Sequence, residues 1–78
     1  MTKVIMKSWR EGMKKVSLSK LQVELLQKTY TIAKQNVDKL LDGETIVLEI
    51  EEEAVAVEFY ESAEKLGVDC LIMDGVLA

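Results

Sequence analysis

The segment Glu44-Thr45-Ile46-Val47-Leu48-Glu49-Ile50 decides the fold. Ile46, Leu48 and Ile50 fall on one side and Thr45, Val47 and Glu49 on the other, the two-residue period of a strand covered on one face only. Downstream, Glu51, Glu52 and Glu53 suit the first turn of a helix, where negative charge complements the macrodipole. Ala56, Phe59, Ala63 and Leu66 then recur as one inward stripe that ends at Gly67. Val68 to Met73 reads as the next strand. Asp74-Gly75 is a turn signal, and Val76-Leu77-Ala78 is apolar enough to dock on the domain.

Upstream, Val4-Ile5-Met6 between Lys3 and Lys7 reads as a short first strand left through a loop, Ser8-Trp9-Arg10-Glu11-Gly12. Ser19 and Gln22 have capping-box spacing, with Leu18 and Val23 placed as a hydrophobic staple, so a helix is expected to begin near residue 19. Leu21, Leu25 and Leu26 supply its apolar face. Thr31 is the expected N-cap of a second helix, whose Ala33, Val37, Leu40 and Leu41 recur at helical spacing before Gly43. The order is β-α-α-β-α-β. Three strands of one sheet can carry all three helices on one face, which predicts a two-layer α+β domain spanning residues 1–78. Ile46, Leu48, Ile50, Val68, Cys70 and Ile72 should face the helices, and Val47, Leu71 and Met73 the open side.

A chain of 78 residues without proline, 49% apolar and 31% charged, has the composition of one small packed domain. Histidine is absent, and the single Cys70 cannot form an intramolecular disulfide or share a thiolate metal site with a second cysteine. In its setting Val68-Asp69-Cys70-Leu71-Ile72, Cys70 reads as a small buried hydrophobe, which suits a reducing cytoplasm. The N-terminus has too short an apolar core for a signal peptide, and no run approaches the roughly 18 apolar residues that span a bilayer. Phosphate-cradling and nucleophile-elbow motifs are absent: the four glycines stand apart, where turns belong. Glu51-Glu52-Glu53 cannot converge on one cation, because adjacent helical residues point about 100° apart. Glu49 with Glu58 or Glu61 lacks a nucleophile or histidine to work with, so no catalytic residue, metal or cofactor is expected.

Charge divides along the chain. Residues 1–41 hold nine Lys/Arg against three acids, net +6, and residues 42–78 hold one Lys against eleven acids, net −10. A basic face on the first two helices would steer an acidic partner. Trp9 and Arg10, side by side, are residue types that dominate binding hot spots. The candidate partner-binding set is therefore Trp9, Arg10, Lys14, Lys15, Lys28, Tyr30 and Lys34, with Tyr30 and Lys34 at its centre.

The element order, with a third helix ending in Glu64-Lys65-Leu66-Gly67-Val68-Asp69-Cys70-Leu71-Ile72, resembles the fold shared by the ClpS adaptor family and the C-terminal domain of the bacterial ribosomal stalk protein, and Leu26-Gln27-Lys28-Thr29-Tyr30-Thr31-Ile32 running on to Val37 and Leu40-Leu41 is the stretch most similar to ClpS. Val4-Ile5-Met6-Lys7 and Ala63-Glu64-Lys65-Leu66-Gly67-Val68 are similar to the C-terminal domain of the bacterial ribosomal stalk protein. The resemblance implies this same element order and a protein-recruiting adaptor. ClpS proteins read a substrate's N-terminal residue with an acidic pair after the first strand and a later histidine. Trp9 and Arg10 stand in that loop here, so a free α-amino group would meet the wrong charge. Stalk domains hold translation factors around a Gly-Leu-Gly-Leu turn, whose place is taken by Thr29-Tyr30-Thr31-Ile32. The expectation is a non-enzymatic module that recruits a protein through the Trp9 loop and the first two helices. The alternatives are a nucleic-acid- or ribosome-associated protein using the same lysines, and a homodimer through the open sheet face at Val47, Leu71 and Met73.

Overall fold

The computed structural model of the chain describes residues 2–74. Its elements are β1 (Thr2–Trp9), α1 (Lys15–Leu26), α2 (Tyr30–Leu41), β2 (Ile46–Ile50), α3 (Glu53–Lys65) and β3 (Val68–Asp74), the expected β-α-α-β-α-β order. The strands form one antiparallel sheet in the order β2-β1-β3. β1 is the central strand, paired with β2 on one side and β3 on the other. Val4 and Met6 are fully buried, beside Ile46, Leu48, Ile50, Val68 and Cys70, against Leu18, Val37, Leu40, Ala56, Phe59 and Ala63 of the helices. Val47, Leu71 and Met73 are exposed on the helix-free side. The domain is thus a two-layer α+β fold with its helices on one face of a three-stranded sheet.

Several local expectations are corrected. β1 runs on to Trp9, because an irregularity between Met6 and Ser8 lets Ser8 and Trp9 stand opposite Asp69 and Val68. α1 starts at Lys15, not near residue 19, and its N-cap Lys14 provides no side-chain hydrogen bond. Ser19 and Gln22 lie buried inside that helix, so they form no capping box. The N-cap of α2 is Thr29 in place of Thr31: its hydroxyl accepts from the Ile32 N–H at 3.2 Å. Only Glu53 of the acid run sits in the first turn of α3, with Glu52 as N-cap. Ile72 faces the helix layer as the alternation requires, yet it is 38% exposed because it sits on an edge strand outside the packed cluster.

The glycine at 67 is required. Its φ is +101°, and a Cβ there would lie 3.0 Å from Met13 Cα. That close approach fits the loop after β1 against the end of α3, where Arg10 N–H donates to Gly67 O at 2.7 Å and Lys14 N–H to Leu66 O at 3.1 Å. No described helix is long and apolar enough to cross a membrane. The docking expected of Val76-Leu77-Ala78 falls outside the described residues.

Candidate protein-binding site

α1 and α2 are held together by a buried glutamine. Gln22 is fully buried. Its amide donates to Ala33 O at 3.2 Å and to Leu18 O at 3.4 Å. Its carbonyl accepts from Asn36 Nδ2 at 2.9 Å. With every polar atom satisfied, this side chain sets how the two helices meet. Beside it the helices leave a shallow groove of about 280 Å³, lined by Lys15, Val16 and Ser19 of α1 and by Tyr30, Lys34, Val37 and Asp38 of α2.

Three of the seven sequence candidates, Lys15, Tyr30 and Lys34, meet at this groove. Val16, 63% exposed, and Tyr30, 59% exposed, give it uncovered apolar walls. Ile32 adds a further exposed apolar side chain on α2. Among the described residues the only ion pairs are those of Arg10 with Asp69 and Glu64, so within them Lys15 and Lys34 have no carboxylate at ion-pair distance. Asp38 is the one acid on the groove's wall. Lys14 is exposed one residue before α1, fixed by the loop's hydrogen bonds to α3.

The remaining candidates lie elsewhere. Lys28 follows Gln27, whose left-handed φ of 53° ends α1. It lines a different hollow with Glu49, Glu51 and Glu52. Trp9, 42% exposed, closes β1 opposite Val68. Arg10 is committed to its own chain: the guanidinium donates to the Asp69 carboxylate and to the Glu64 backbone carbonyl, and lies 3.7 Å from Glu64 Oε1. Asp69 also accepts from the Ser8 hydroxyl at 2.9 Å. That hydrogen bond, and after it the Arg10 guanidinium, hold its carboxyl below the ordinary carboxylate range.

No group of His, Cys, Asp and Glu among the described residues could hold a metal ion. The Cys70 thiol is pushed up to about 12 by burial, with Glu64 and Asp69 adding to the effect, so it is not a ready nucleophile. Sequence reasoning missed two parts of the site. Val16 lies off the apolar stripe of α1 and carries no periodic signal, and Gln22 matched a capping pattern although it joins two helices. No family model matches this chain, and no curated protein or solved structure matches it either.

Proposed function

We propose that the chain is a non-enzymatic protein-interaction module that receives a segment of a partner protein in the groove between α1 and α2. The observation that carries this reading is the meeting of Lys15, Tyr30 and Lys34 with exposed Val16 on a helix pair fixed by Gln22. Uncompensated lysines steer an acidic partner, and Tyr30 and Val16 provide the apolar contact that holds it. Trp9 and Lys14 offer further exposed contacts toward the loop end of the domain. The resemblance to ClpS adaptors supports recruitment as the form this binding takes. A single buried thiol suits work in a reducing cytoplasm.

The test is capture from the source lysate by wild type, Tyr30→Ala and Lys34→Glu, each with and without nuclease. The expected result is a discrete protein that survives nuclease and is lost with both variants, while their thermal midpoints match wild type. Equal capture by all three contradicts the groove. Loss on nuclease treatment moves the lysines to a nucleic-acid role.

A further inference from the structure

The backbone orientation of β3 is settled by two hydrogen bonds. Gly67 O, at its start, accepts from Arg10 N–H toward β1, and Cys70 N–H is satisfied at 2.9 Å by the Glu64 carboxylate, away from β1. Backbone groups of successive residues alternate in direction. Asp69, Leu71 and Met73 therefore address β1, and Cys70 and Ile72 address the outer edge. Among the described residues no strand lies on that edge.

Glu64 caps the first half of the edge. Around Ile72 no hydrogen bond of that kind is formed among the described residues, and the strand there is apolar on both faces. Leu71 and Met73 are exposed on the helix-free face, and Ile72 is 38% exposed although its β1 partner Val4 is fully buried. The opposite edge strand is protected by charge: β2 has five residues, carries Glu49, and runs between Glu44 and Glu51-Glu52-Glu53.

We propose that the outer edge of β3 pairs antiparallel with β3 of a second copy, about a two-fold axis at Ile72, joining the two sheets into one. In this register Ile72 meets itself, Leu71 stands opposite Met73 of the other copy, and Cys70 stands opposite Asp74. In the central pairs, Ile72 with Ile72 and Leu71 with Met73, apolar residues face apolar ones, so the strand complements itself there, while Asp74 stands only at the periphery, opposite the Cys70 that Glu64 caps. Centring the axis on Cys70 instead would place Asp69 opposite Leu71 and require the Glu64 cap to leave from the middle of the interface. With the axis at Ile72 the cap stays at the periphery and only limits how far pairing extends. The contact is small, so the dissociation constant is expected on the order of 100 µM. The edge is separate from the α1–α2 groove, and its test leaves that reading untouched.

Sedimentation equilibrium on the full chain from about 10 µM to about 1 mM, with amide exchange at Ile72 at both extremes, tests the pairing. The mass should rise from 8.8 kDa toward twice that value, and exchange at the Ile72 N–H should slow with concentration. Glu64→Ala, which frees Cys70 N–H, should tighten association several-fold. Met73→Lys, at an exposed position whose fold is checked by circular dichroism, should weaken it at least tenfold. A single-chain mass throughout overturns the proposal. So does a dimer that leaves Ile72 exchange unchanged, which assigns association to the open sheet face or the groove. Dimerisation that requires removal of residues 75–78 also overturns it, giving the edge to the chain's own end.

Discussion

Two polar clusters each fasten one segment of this domain to another, and they differ in their access to water. Gln22 joins α1 to α2 from a fully buried position through neutral hydrogen bonds. Arg10, with Ser8, Asp69 and Glu64, joins the start of the loop after β1 to α3 and β3 at the surface, through charges. Water competes for every contact of the second cluster, whereas in the first it reaches only the part-buried Asn36 end and not the bonds to Ala33 and Leu18. The buried neutral cluster should therefore dominate stability, although the charged one looks stronger in isolation.

Gln22→Ala leaves a cavity and deprives the Asn36 amide and Ala33 carbonyl of their partner. The expected cost is about 3 kcal/mol, read as a fall in thermal midpoint of roughly 12–24 °C. Between the two clusters lies the glycine at 67. Gly67→Ala meets both a left-handed φ and the Met13 backbone at 3.0 Å, and should cost about 2 kcal/mol in urea unfolding. Gln27→Gly runs the other way. It relieves the one non-glycine positive φ among the described residues and should stabilise by about 0.5 kcal/mol in the same assay.

The charged cluster should give the smallest effect, visible as pH dependence. Because the folded Asp69 carboxyl titrates below its ordinary value of 3.8, its contribution is complete above that value. It is lost as the pH falls through 3.8 to the lowered folded value, where the unfolded chain binds the proton more readily than the folded one. Asp69→Asn should flatten this part of the acid limb of a midpoint-against-pH curve and scarcely move the midpoint at neutral pH. A larger neutral-pH loss from Asp69→Asn than from Gln22→Ala would reverse the comparison.

The same contrast separates what could be read from the sequence from what could not. Element order, the open sheet face and the inward stripes of α2 and α3 are local periodicities, and Ile46-Val47-Leu48-Glu49-Ile50 shows its faces unaided. Just before the start of α1, Lys14 N–H reaches Leu66 O, a contact between distant parts of the chain that no neighbouring letters encode. Ser19 and Gln22 mimic a cap because the spacing of a capping box also occurs within any helix. Thr29-Tyr30-Thr31 offers two hydroxyls at one turn, and only the backbone decides that Thr29 accepts. Within the site, the basic first half pointed to Lys15, Tyr30 and Lys34. The αL turn at Gln27 sends Lys28 to another hollow, and Arg10 is drawn to Asp69, a partner 59 residues away.

Binding of a protein in the proposed α1–α2 groove is tested by the affinity of the captured partner for wild type and Lys34→Glu, titrated across salt concentration. Lys34→Glu should bind at least tenfold more weakly at low salt, and the wild-type affinity should fall as salt rises. Equal affinities with no dependence on salt would contradict it.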